Sequence, residues 1–180
     1  MGKNKNLLLL GFFGHKNLGD DLLLLQALQK IPAEYALFII WPRNATAEAS
    51  KFLTIRHFTP VYDWKEALRT RYAALIYSGG GLFPSLSFGW RQLLRHVELS
   101  LTSKKRILNG VGIVPKTKRF WFDLFLRTFD YVSVRDELSQ TFVSKIYPDV
   151  INCGDLYWGA SYNSLKDNKL KIAGGGVKRP

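Results

Sequence analysis

The 180-residue chain contains one cysteine, Cys153. That excludes an internal disulfide framework and a thiolate metal cluster, and it fits a reducing compartment. Cys153 itself is expected as a small buried hydrophobe at a strand end. Histidine is scarce too. His57 and His96 have no carboxylate at motif spacing, His15 lies in a polar loop, and a non-catalytic role is expected for all three. No metal is expected. No run approaches the ~20 apolar residues a membrane-spanning helix needs. Lys3 and Lys5 before Leu7 to Phe13 mimic a secretory leader, but the apolar run is short and His15 and Lys16 follow it in place of a small-residue cleavage site. The expected location is cytoplasmic, with any membrane contact peripheral and at the inner face.

Acidic residues are few. Fourteen Asp and Glu against 26 Lys and Arg leave a net charge of +12, a field that draws anionic lipid headgroups or phosphorylated small substrates. Nucleic acid is not expected as a partner. No binding module is recognisable, and Lys104-Lys105-Arg106 and Lys116 to Arg119 read as the edges of elements.

What is present is globular, with 47% hydrophobic and 14% aromatic residues and no internal repeat. Apolar runs at Leu7 to Leu10, Tyr35 to Trp41, Ile55 to Phe58, Ala73 to Ser78, Arg106 to Val111, Tyr131 to Val134 and Val150 to Cys153 read as strands. Helices are expected between them: one capped by Asp20 with Leu22, Leu25 and Leu28 as its stripe, then Ala45 to Leu53, Asp63 to Arg71, Trp90 to Leu101, Phe120 to Phe129, and Asp136 to Ile146. This alternation predicts an α/β domain over 1–158, a doubly wound, Rossmann-like parallel sheet. Residues 159–180 read as a polar linker, Ser161 to Lys171, running into the start of a second domain whose remainder the chain lacks.

In a parallel sheet the strand-to-helix turns gather at the carboxyl rim, where α/β proteins place ligands. Five segments fall there: Gly14 to Asp21, Gly79-Gly80-Gly81, Gly110 to Pro115, Arg135-Asp136 and Gly154-Asp155. Together they predict a cleft, with substrate-binding candidates Gly14, His15, Asn17, Gly19, Asp20, Asp21, Gly79, Gly80, Gly81, Gly110, Gly112, Arg135 and Asp136. The first loop lacks both G-x-G-x-x-G and G-x-x-x-x-G-K-[ST], and Asp20 and Asp21 already place negative charge in the first helical turn. Polar recognition, of sugar hydroxyls or through an organising hydrogen-bond network, is therefore favoured over a phosphate cradle. Asp20 and Arg135 are the catalytic candidates. Asp20 either orients an acceptor hydroxyl or only caps a helix, and Arg135 either holds an anion bidentately or forms a structural ion pair.

The motifs G-F-F-G-H-K-N-L-G-D-D (Gly11 to Asp21), S-G-G-G-L-F (Ser78 to Phe83), G-V-G-I-V-P (Gly110 to Pro115), V-R-D-E-L-S (Val134 to Ser139) and G-D-L (Gly154 to Leu156) resemble, in order and spacing, the N-terminal domain of the polysaccharide pyruvyl transferase family. The resemblance implies two Rossmann-like domains arranged as in a GT-B glycosyltransferase. It also implies transfer of pyruvate from phosphoenolpyruvate, as donor substrate with no cofactor, to sugar hydroxyls as a ketal. Acceptors implied are cell-surface glycans or their lipid-linked sugar precursors. The chain departs from the pattern at Val114, where the family often has Gly, and after Gly81, where Leu82-Phe83-Pro84-Ser85 lacks an acidic residue. The family's phosphoenolpyruvate-binding basic residues are expected on the second domain, so none is carried onto a position here, and a second domain or subunit would complete the cleft. Two alternatives stay open: the acceptor-binding half of an ordinary GT-B glycosyltransferase, and a non-catalytic sugar-binding or scaffold module.

Within Phe120 to Phe129, Phe122, Phe125, Leu126 and Phe129 make a sheet-facing stripe, leaving Phe120, Trp121 and Leu124 over. Lys116, Lys118, Arg119 and Arg127 flank them, so this helix is expected to meet either an anionic membrane surface or a second domain.

Overall fold

The computed structural model describes residues 5–79, 90–113 and 119–154, Arg119 by its backbone only. Expectations about Gly80, Gly81, Val114, Pro115, Lys116, Lys118, Asp155 and the linker lie outside the described residues. The strands are β1 (Asn6–Leu10), β2 (Ala36–Ile40), β3 (Thr59–Val61), β4 (Tyr72–Ser78), β5 (Ser103–Val111), β6 (Tyr131–Val134) and β7 (Ile151–Asn152). The helices are α1 (Leu18–Lys30), α2 (Thr46–Leu53), α3 (Trp64–Ala67), α4 (Trp90–Ser100), α5 (Arg119–Leu126) and α6 (Glu137–Val143).

Among the described residues the seven strands pair in parallel in the order β3-β2-β1-β4-β5-β6-β7. The chain winds outward from β1 to β3, returns to β4 beside β1, and winds the other way to β7, the doubly wound Rossmann-like arrangement expected. Because successive side chains in a strand point to opposite faces, β1 feeds two cores at once. Leu8 and Leu10 pack with Leu75, Leu108, Val134, Leu99 of α4 and Phe122, Phe125 and Leu126 of α5. Leu7 and Leu9 pack with Leu37, Ile39, Trp41, Leu24 and Leu28 of α1 and Phe52 of α2. A strand buried on both faces must be apolar throughout, which is why Leu7 to Leu10 carries no alternation.

Three expectations are corrected. The third strand is Thr59–Val61, not Ile55 to Phe58: Phe58 is buried beside Trp41, its ring 5.8 Å away, and the strand starts after it. Pro60 lacks an N–H, which only an edge strand tolerates, and β3 is an edge. The helix expected over Asp63 to Arg71 is one turn, Trp64–Ala67, although Asp63 caps it as expected by accepting from Glu66 N at 2.8 Å. Cys153 follows β7 at a strand end but is exposed, its thiol donating to the Val134 carbonyl at 3.3 Å.

One arginine ties the α1 exit to the start of β2. Arg56 donates to the carbonyls of Leu28, Ile31, Pro32 (2.8 Å) and Tyr35 (2.8 Å), so its guanidinium satisfies acceptors at the helix C-terminus and in the turn between the two elements. Arg56→Ala is expected to lower unfolding free energy by about 2 kcal/mol, because bonds to a charged donor are worth ~1.5–3 kcal/mol. Urea denaturation reads it. Arg56→Lys, which cannot reproduce the fork, should recover less than half of the loss.

Candidate functional site

The strand order reverses between β1 and β4, and the crevice at that reversal opens at their carboxyl ends. The loop leaving β1 fills it. Phe13 and Gly14 are buried, while Phe12, His15, Lys16 and Asn17 face solvent. Lys16 holds a left-handed φ of 58°, a conformation disfavoured for a residue with a side chain and one that recurs at ligand sites.

The helix cap differs from the expectation. Asn17, not Asp20, is the N-cap of α1: its Oδ1 accepts from Gly19 N at 3.2 Å, and its carbonyl accepts from Asp21 N at 3.0 Å. Asp20 is therefore the third residue of the helix, three past the cap, with its side chain turned inward, 4% exposed, where it accepts from the Asn17 amide. Asp21 is half-buried, and its Oδ1 accepts from Gly14 N at 3.4 Å, closing the loop on the helix. Losing the cap itself, by Asn17→Ala, is expected to cost about 1 kcal/mol, measurable in urea.

Burial pushes the Asp20 carboxyl above its usual value, the neighbouring Asp21 adds to this, and Arg135 and His15 partly oppose it. Burial likewise raises Asp21, against the Gly14 N–H. Carboxyls held above their ordinary values by burial are the kind of perturbed group that clusters at functional sites.

Arg135 reaches this pair from β6. It leaves the strand end and crosses over β5, where Gly112 makes room: a Cβ on Gly112 would lie 2.4 Å from Arg135 Nε. The guanidinium is partly exposed and pairs only loosely with Asp136, at 3.6 Å, so donors remain for an anion. Asp136 caps α6, its Oδ1 accepting from Ser139 N at 2.7 Å. The structure thus brings Asp20, Asp21, His15 and Arg135 into one electrostatic neighbourhood. Gly79 and Gly110 have structural roles at the same rim, Gly79 packed against Leu23 and Gly110 donating to Ser133 Oγ at 3.0 Å. Gly14 is likewise buried, its Cα against the Trp41 ring. Gly19 is exposed, and His57 lies away from the rim, before β3.

Phe12 was not among the sequence candidates. It is 53% exposed and stacks on the His15 ring with centroids 4.0 Å apart, an aromatic platform beside the carboxyls. The signal was the pair Phe12-Phe13 straight after a strand, of which alternation sends only one inward. Among the described residues no group of three or more His, Cys, Asp or Glu is placed to hold a metal ion, and no helix is long and apolar enough to cross a membrane.

No curated protein and no solved structure matches the chain. The family model described as polysaccharide pyruvyl transferase matches residues 17–175, from the α1 cap through both carboxyls, the β5 rim and Arg135. That span takes in most of the chain and most of the motifs on which the resemblance stood, and the chain belongs to the polysaccharide pyruvyl transferase family.

Proposed function

We propose that the chain forms the acceptor-side domain of an enzyme that transfers pyruvate from phosphoenolpyruvate to two hydroxyls of a cell-surface glycan or its lipid-linked precursor. The observation that carries the reading, beside the family, is a buried carboxyl with a raised pKa facing a half-free arginine at the sheet's switch point. In ketal formation the donor's C3 takes a proton and C2 becomes electrophilic. A first hydroxyl oxygen bonds to C2, the C2–O bond to phosphate breaks, and a second hydroxyl closes the ketal. The two hydroxyl protons end on the new methyl group and on phosphate. Asp20, biased toward holding a proton, takes one from an acceptor hydroxyl, and Arg135 faces the donor's anionic groups. Phe12 and His15 offer the apolar face on which a sugar ring lies.

The test is phosphate release from phosphoenolpyruvate with diol-bearing glycans, alongside direct measurement of glycan binding. Asp20→Asn keeps the contact with Asn17 yet cannot exchange a proton, and is expected to lower turnover about 100-fold. It should leave stability at neutral pH unchanged or slightly raised, since the folded state disfavours the Asp20 charge. Unchanged glycan binding and turnover in Asp20→Asn would retire the role. Dependence on a nucleotide-sugar instead of phosphoenolpyruvate would identify a glycosyltransferase.

A further inference from the structure

The two helices over the β4–β5–β6 side of the sheet each carry an apolar face that the core does not use. On α4, Leu93, His96 and Leu99 point inward, while Trp90, Leu94, Val97 and Leu101 are exposed. Their spacing of four, three and four residues keeps them in one narrow stripe, and the Leu101 N–H to Val97 carbonyl bond, 3.1 Å, extends the helical path to the last of them. On α5, Phe122, Phe125 and Leu126 are buried as expected, and Trp121 is half-buried against the core, which corrects its place among the leftover residues. Phe120, 66% exposed, and Leu124 remain outside. The helices adjoin: His96 of α4 meets Thr128 Oγ1 at 2.6 Å and stacks on Phe129, just beyond α5.

Cations border this face. Arg91, Arg95, Lys104 and Arg127 are all exposed, and Arg91 lies over the Trp90 ring at 5.6 Å. Of the acids on these helices, Glu98 is exposed but engaged, accepting from Trp64 Nε1 at 3.0 Å, and Asp123 has its Oδ1 buried. Apolar side chains with a tryptophan, bordered by four cations against one exposed acid, Glu98, match the interface of an anionic bilayer.

We propose that the α4–α5 outer face docks the protein peripherally on an anionic lipid surface. Its extent argues against a domain closing over the carboxyl rim. The stripe runs ~16 Å along α4, at 1.5 Å per residue, from the rim end to Leu101 at the opposite edge. There Leu101 is 74% exposed, out of reach of anything seated on the cleft. Docking does not depend on pyruvyl transfer.

Sedimentation of the full chain with phosphatidylglycerol-containing and pure phosphatidylcholine vesicles tests it. Binding is expected on the anionic vesicles at ~0.01 M salt and should be largely lost at ~1 M, where the screening length falls from ~30 Å to ~3 Å. Arg91→Ala with Arg95→Ala should weaken partitioning by about tenfold or more, each cation near the surface counting for about fivefold. Leu94→Glu with Leu101→Glu should abolish it, while Leu138→Glu, an equally exposed site on α6, should leave it intact. All three variants should keep the parent melting curve. Equal binding to both vesicle types, binding to neither, or equal weakening by Leu138→Glu overturns the proposal. So does light scattering that shows a dimer broken by the Leu94 and Leu101 changes without vesicle binding, which would assign the face to a second copy.

Discussion

Acidification from about pH 7 to about pH 4 is expected to remove about 3 kcal/mol of stability through His96, a shift from 6.5 to about 4 at 1.36 kcal/mol per unit. The ring is 1% exposed and lies among Tyr77, Phe125 and Phe129. Its two nitrogens face Tyr77 Oη at 3.0 Å and Thr128 Oγ1 at 2.6 Å, hydroxyl partners that a neutral imidazole satisfies without a counter-ion. Burial therefore holds it neutral, with the Arg106 charge adding to the effect. The unfolded chain binds a proton below 6.5 and the folded chain only below about 4, so this contribution is whole above 6.5 and lost as pH falls through that window. Asp20 and Asp21 act in the opposite sense, because their raised values make the folded state the better proton binder as the carboxyls titrate. Urea denaturation across the window, on the parent and on His96→Gln, isolates the term. The variant should be less stable at neutral pH but its stability should fall much less with acid. Parallel pH profiles would show that His96 is not the group responsible.

Gly79→Ala is expected to cost about 3 kcal/mol, as the sum of ~1–2 kcal/mol for a left-handed backbone and ~1–3 kcal/mol for overpacking. Gly79 holds φ 62° at the end of β4, and a Cβ would lie 2.2 Å from Leu23 Cδ1 of α1. Leu23→Ala in the same chain removes the clash but leaves the backbone term, so the double variant should cost less than the two single losses added together. Gly19→Ala is the contrasting case. There the nearest atom is Asn17 Oδ1 at 3.6 Å and the residue is helical, so alanine should stabilise by ~0.5–1 kcal/mol. Thermal melts of the two glycine variants should move in opposite directions.

The architecture was legible because it rests on apolar runs and their spacing. Leu7 to Leu10 and Ala73 to Ser78 can only be buried strands at that length, and Phe122, Phe125, Leu126 and Phe129 fall on one side of a helix by period alone. The parallel sheet then places the glycine- and aspartate-bearing turns on one rim without further information. What failed was local choice among equivalents. Asn17 and Asp20 are both good caps three residues apart, and Gly19 between them disguised the first helical turn as loop. Ile55 to Phe58 has strand composition, but Phe58 is spent on the Trp41 cluster, and the edge position that admits Pro60 is a property of the whole sheet. Nothing near Arg56 indicates that it reaches back to Leu28 and Tyr35. The crossing of Arg135 over Gly112 likewise joins two strand ends that only the strand order makes neighbours.

Among the described residues, both margins of the sheet are poor templates for another strand. β3 offers three residues, the middle one Pro60 without a donor, and β7 offers two. A foreign or sister chain seeking to extend the ladder would gain hardly any hydrogen bonds at either side. Crowded or newly made copies are thus steered away from fibre-like growth by strand addition at these edges.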